Sequence, residues 1–241
     1  MLIEEKFIYL NLPRCASTSF HIACLKYGLN IKYYDNLLHT LNPPKLESDL
    51  NNELIADKLT HSHERLVNLR KKFGFEVPVI SVKRNPYDRY ISLWKHIIDE
   101  LYRVGEIETF EIFKSLKTDD LLFYREDDLS SNDRKYSAIK EFFKMNNVPK
   151  TGPYVTAMIY MMMSPTSHYH HHDKSIIWFD FNKLNELEEW VSNILEREFK
   201  IEKTNSSQHF ECSITNDDYF RKKYDLIYKN HDEPKIEKTI I

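Results

Sequence analysis

The sequence predicts an α/β fold: a central, mostly parallel sheet with helices on both faces, in a single domain over residues 1–241. Three observations carry that expectation. Short runs rich in β-branched and aromatic residues alternate with stretches whose apolar residues recur every three to four positions. Helix stop and start signals separate them. Hydrophobic residues make up 41% of the chain, enough to cover a sheet on both sides.

Taken in order, Lys6–Leu12 reads as a short buried strand and Pro13–Ser19 as a loop of small and hydroxyl residues. Thr18–Tyr27 follows as a helix, closed by Gly28 in the position just past its end. Asn36–Asn52 is polar and contains Pro43-Pro44, an excursion rather than an element. Leu54–His61 reads as a second strand or an approach to one, and Glu64–Lys72 as a short charged helix. Val77–Lys83 is a strand dense in valine and isoleucine. Asn85-Pro86 then opens a helix: Asn is a good N-cap, Pro suits the first helical position, and Asp88 sits in the first turn. Residues 106–150 are mostly helical and charged, and Thr156–Met163 is an apolar, Met-rich helix in which the methionines fill core. Ile176–Phe181 is a further strand, Leu184–Leu195 an amphipathic helix, and Asp217–Asn230 a last helix.

Only 4 of 241 residues are glycine, and no two are close together. That excludes the glycine-rich dinucleotide loop, the Walker phosphate loop and the serine nucleophile elbow. A phosphate would have to be held by other small residues. The net charge of −3 gives no global attraction to nucleic acid or an anionic membrane. Three cysteines, odd in number and without paired spacing, argue against a disulfide framework or a zinc ribbon and fit a reducing compartment. The opening MLIEEKFIYLNL is unlike a secretory signal, and Tyr154–Met163 is too short to span a bilayer, so a cytoplasmic location with no membrane partner is expected.

Two segments carry candidate chemistry. In Pro13-Arg14-Cys15-Ala16-Ser17-Thr18-Ser19 a tight turn leads into a helix, so successive backbone N–H groups and the helix N-terminus favour an anion. The hydroxyls add donors, and Arg14 adds a permanent forked cation. An ordinary strand-to-helix turn fits the same local pattern. In Lys83-Arg84-Asn85-Pro86 and onward to Ser92, Arg84 leaves a buried strand just before a helix, and Ser92 follows about two turns in. A simple Arg84–Asp88 pair and a surface serine would also account for that segment. Between the two lies Thr60-His61-Ser62-His63-Glu64; in extended chain both histidines face one side. Neutral histidine suits general-base work, although two surface histidines at a strand end read the same way.

Taken together, LPRCASTSF and KRNPYDRYIS resemble the sulfotransferase superfamily. Members carry a proline, a basic residue and a run of hydroxyls after the first strand for the 5′-phosphosulfate. An Arg-Asn/Asp-Pro segment with a later Arg and Ser holds the 3′-phosphate. The first loop looks most like that of uronyl 2-O-sulfotransferases of heparan or dermatan sulfate. The resemblance covers residues 6–100 well and is diffuse beyond. It implies a P-loop-type sulfotransferase fold and the donor 3′-phosphoadenosine-5′-phosphosulfate, released as adenosine 3′,5′-bisphosphate, with no metal. The acceptor would be a hydroxyl compound, expected to be a carbohydrate. Arg14, Cys15, Ala16, Ser17, Thr18 and Ser19 would hold the 5′ end, and Arg84 and Ser92 the 3′-phosphate. His63 would be the base and His61 a second polar contact, with Glu64 the weaker candidate; oligomeric state stays open. The basic residue of the loop is usually Lys in relatives; Arg14 stabilises charge without donating its proton. Ala16 stands where relatives often have glycine, so it is expected to keep φ negative or to accept mild strain.

A kinase with a degenerate phosphate loop, and a non-catalytic nucleotide- or glycan-binding module, are the competing readings. No lysine follows a glycine in the loop, which disfavours the first, and the His-x-His segment argues against the second. Cys15 does not begin a phosphatase loop, since His21 stands where the arginine would be required. The tract His168, His170, His171, His172 and Asp173 reads as an exposed loop over the donor or acceptor in preference to a metal site. The charged, Tyr-containing stretch 119–136 reads as a solvated helical face or as an acceptor groove with Arg134 and Lys135.

Overall fold

The computed structural model describes residues 1–34, 64–123, 125–149, 155–156, 158–160, 164–202 and 216–228. Five strands form one sheet: β1 (Leu2–Ile3), β2 (Phe7–Tyr9), β3 (Ile31–Lys32), β4 (Val79–Lys83) and β5 (Ile176–Asp180), in the order β3-β1-β2-β4-β5. β2, β4 and β5 run parallel, with Ile8 beside Val79 and Val79 beside Ile176. β1 is antiparallel to both β2 and β3. The sheet is therefore mixed, which corrects the expectation of a mostly parallel one.

The unexpected pair arises at Glu4 and Glu5, whose φ values of 49° and 58° turn the chain back on itself. The turn is closed by Lys6 N–H donating to the Ile3 carbonyl at 2.9 Å. Two consecutive positive φ angles mark a tight turn, ordinarily signalled by Asn-Gly. Here two glutamates fill it, with residues 4–6 between the paired Ile3 and Phe7, and the sequence-predicted strand begins only at Lys6.

Helix α1 (Ser17–Lys26) follows β2 and ends at Gly28, φ 63°, where Leu29 N–H reaches back to the Cys24 carbonyl. α2 (Leu66–Phe73) leads into β4, and α3 (Pro86–Arg103) leaves it. α4 (Ile107–Ser115), α5 (Thr118–Leu121), a 3-10 turn (Glu126–Ser130) and α6 (Asn132–Met145) make up the charged helical segment. α7 (Ser167–His170) precedes β5; α8 (Leu184–Leu195) and α9 (Asp218–Tyr228) follow it. The sequence-predicted strand at 54–61 lies outside the described residues.

Both faces of the inner strands are covered: Phe7, Ile8, Tyr9, Ile80 and Ser81 are fully buried. On one face Tyr9 stacks on Phe20 of α1, and Phe7 and Phe179 meet Trp190 of α8. On the other, Trp178 meets His170 of α7, which packs beside α2. A second apolar cluster holds no strand residue: Leu93, Trp94, Ile97, Ile98 and Leu101 of α3 lie against α4, α6 and α9. The three-to-four spacing of those side chains is what ties α3 to this cluster.

Candidate active site

Parallel pairing of β2, β4 and β5 places three chain exits side by side. Pro13–Ser19 follows β2, Arg84 is the residue after β4, and Phe181 the residue after β5. Carboxyl ends of adjacent parallel strands are where open α/β sheets bind ligands. The fold thus brings the two motif segments to one edge although 70 residues separate them in sequence.

The segments touch. Arg14 Nε donates to Ser92 Oγ at 3.2 Å, and Arg84 Nη1 donates to the Arg14 carbonyl at 3.3 Å. The Arg84 guanidinium lies 4.5 Å from the centre of the Phe181 ring, a cation–π contact that fixes its plane. Among the described residues neither arginine forms an ion pair. Asp88, the expected local partner of Arg84, instead accepts from Asn216 Nδ2 at 2.5 Å. Burial, and then the nearby Arg84 charge, pull the Arg14 pKa below its ordinary value; burial does the same to Arg84.

The turn that carries Arg14 has the backbone form of an anion nest. Arg14 and Ala16 hold φ of 61° and 62° on either side of Cys15. Left-handed residues alternating with an ordinary one are the backbone pattern of such a nest, although here Cys15 N–H donates to the Leu12 carbonyl at 3.2 Å. Ala16 is also the N-cap of α1, and no side chain caps that helix end. The first-turn N–H groups have no intrahelical partner by construction, and the helix dipole adds positive potential. The positive φ of Ala16 rules out the first of the two expectations for residue 16, a negative φ, and leaves the second, a strained backbone. The nest requires the left-handed conformation whatever side chain is present.

Of the hydroxyls, Ser17 is not available as a side-chain donor to a ligand. It is buried, and its Oγ donates to the Leu12 carbonyl at 2.8 Å, pinning the loop to the end of β2. Its contribution to a ligand is reduced to backbone N–H. Thr18 and Ser19 remain partly exposed. The Cys15 side chain is buried, with Sγ directed at the Pro13 carbonyl 3.6 Å away. Asn85 caps α3 as predicted, accepting from Tyr87 and Asp88 N–H at 3.1 and 3.3 Å.

His61 and His63 lie outside the described residues, as does the polar segment 205–207. Glu64 is described: its carboxylate accepts from Arg65 N–H at 2.8 Å and Asn68 Nδ2 at 2.6 Å, holding the start of α2. One residue near the site escaped the sequence reading. His96 lies one turn beyond Ser92 on the same face of α3. Burial, with the Arg14 charge next, lowers its pKa to about 4, so it is neutral at physiological pH. The Ser92–His96 spacing was the available signal. The His168–Asp173 segment is partly structural: His170 is 1% exposed, its Nδ1 accepts from His172 N–H, and Asp173 pairs with Arg70. Among the described residues no three His, Cys, Asp or Glu side chains gather as a metal site. Among the same residues no helix is long and apolar enough to cross a membrane.

No curated protein and no solved structure matches the chain. A family model, described as the sulfotransferase family, matches residues 2–233. That span takes in both arginine segments and every strand, and the family implies a donor of the 3′-phosphoadenosine-5′-phosphosulfate type and a hydroxyl-bearing acceptor. The chain belongs to the sulfotransferase family and is a sulfotransferase enzyme.

Proposed function

We propose that the enzyme moves the sulfuryl group of 3′-phosphoadenosine-5′-phosphosulfate onto a carbohydrate hydroxyl. The observation that carries this reading is the meeting of Arg14, Ser92 and Arg84 at the uncapped start of α1, two partly buried cations that form no ion pair among the described residues. Arg14 and the N–H groups of Ala16 through Ser19 hold the 5′-phosphosulfate, the Cys15 N–H being taken by the Leu12 carbonyl. Arg84 and Ser92 hold the 3′-phosphate. The acceptor oxygen forms a bond to sulfur as the bond from sulfur to the 5′-phosphate oxygen breaks. The bonding electrons leave with the phosphate, whose growing charge Arg14 stabilises. The acceptor proton passes to His63, with His61 as a second polar contact. Transfer of this kind relies on positioning and electrostatics more than on covalent steps. Glu64 is the poorer base, because its carboxylate is already occupied at the start of α2.

Titration calorimetry with adenosine 3′,5′-bisphosphate and with ATP tests the donor assignment. The bisphosphate should bind and ATP should bind far more weakly. Arg84→Ala should lose about ten- to a hundredfold in bisphosphate affinity, the worth of one forked, charge-assisted contact. Tight ATP binding without bisphosphate binding would overturn the donor reading, and unchanged affinity in Arg84→Ala would overturn the 3′-site. His63→Ala should keep bisphosphate affinity and lose turnover; normal transfer by that variant would move the base elsewhere.

A further inference from the structure

The face of α3 that meets Arg14 carries a polar stripe. Ser92, His96 and Glu100 follow one another at four-residue spacing, so their side chains stand in line about 5–6 Å apart. Arg103 closes the far end: its guanidinium donates from Nε to the Glu100 carboxylate at 3.0 Å, and Nη2 donates to the same oxygen. Arg14 meets the near end, through Nε on Ser92 Oγ at 3.2 Å, and Arg84 is tied to the Arg14 carbonyl. The partly buried His96 ring thus stands between a carboxylate already bridged by Arg103 and the hydroxyl proposed above for the 3′-phosphate.

The charged groups that bear on His96 are Arg14, from the loop after β2, and Glu100 and Arg103 of its own helix. Asp99 and Glu100 also act on Arg14. Burial and the Arg14 charge keep the ring neutral in the empty site. An arriving phosphate reverses that balance. It offsets the arginine charge that opposes protonation, and it places its own negative charge within about one helical turn of the ring. An opposite charge at such range favours the imidazolium. The two arginines cannot answer in this way, because arginine keeps its proton at every working pH.

We propose that His96 is a proton-coupled partner of the donor's 3′-phosphate: neutral in the free enzyme, it takes a proton from solvent as the phosphate settles on Ser92 and Arg84, and returns it when the bisphosphate leaves. The inference rests on the donor reading above and adds a residue and a proton to it. His96 is a positioning residue in this scheme and takes no part in deprotonating the acceptor.

The test is calorimetry on the whole chain in two buffers of different ionisation enthalpy, which counts the protons taken up as adenosine 3′,5′-bisphosphate binds. Adenosine 5′-phosphate, which lacks the 3′ group, is the control ligand. His96→Asn and His96→Gln are the variants, each checked for a wild-type melting curve. At about pH 5.5 the wild type should take up about half a proton more than either variant, and near pH 7.5 the difference should almost vanish. Wild-type affinity relative to the variants should accordingly rise about three- to tenfold over that interval. Protonation of the phosphate itself is common to all three proteins and cancels. In wild type alone, imidazole NMR at about pH 5.5 should show a ring that is neutral in the free enzyme and charged in the bisphosphate complex, which decides the question even where both variants fail to fold. Equal proton uptake in wild type and folded variants, absence of such a ring, or the same linkage with adenosine 5′-phosphate would each overturn the proposal and leave the donor reading standing. Failure of the bisphosphate to bind wild type would overturn the donor reading and the proposal with it.

Discussion

Ala16 holds the left-handed conformation, φ 62° and ψ 11°, with a side chain that gives nothing back as a cap. An L-residue there costs roughly 1–2 kcal/mol relative to the right-handed basin. Glycine removes that cost and adds some unfolded-state entropy. Ala16→Gly should therefore stabilise the protein by about 0.5–1 kcal/mol, read as a rise in the denaturant midpoint. A lower midpoint would show that the Ala16 methyl packs usefully. The strain belongs to a site that must aim backbone N–H groups outward, so bisphosphate affinity should change little. Ser17 shows the opposite use of a side chain. Its hydroxyl was expected to face the ligand and instead faces the Leu12 carbonyl, because a buried loop carbonyl needs a donor more than a solvated anion does.

At the level of elements, helix α3 was legible nearly to the residue. Asn-Pro fixes its start chemically, and its apolar side chains recur with helical spacing over the whole of Pro86–Arg103. Asn85→Ala should cost about 1 kcal/mol through the lost cap. It should also weaken bisphosphate binding, because Arg84 is the residue immediately before it; stability loss with unchanged binding would separate cap from site. β1 and β3 were not legible. Each is two residues long, too short for a period, and the Glu4-Glu5 turn lacks the Asn-Gly that announces such hairpins. The two arginine segments were readable as strand-to-helix junctions because residue type and geometry are tightly linked there. His96 was not readable as such. It meets the Arg14 charge only through the packing of α3 beside the loop after β2, which no local pattern encodes.

At the scale of the molecule, three histidines among the described residues share one electrostatic condition. His96, His168 and His170 are each held down to about 4, burial being the first cause in every case. In the unfolded chain they titrate near 6.5. Between these values the unfolded state binds more protons than the folded one, so stability is full above about pH 6.5 and falls as pH drops toward 4. His170 is the strongest contributor to expect, since protonating its Nδ1 breaks the bond from His172 N–H. The urea midpoint should decline through this window, and His170→Gln should flatten the decline. A midpoint constant from pH 7 to 5 would contradict the burial of these rings.

Two arginines held close together, with no ion pair to either among the described residues, have a cost in the empty enzyme. Their mutual repulsion and desolvation are relieved only when an anion arrives, so the ligand-free protein is the weaker species. With the proposed donor as that anion, its supply would govern survival as well as turnover, and the abundance of the enzyme would follow the donor pool.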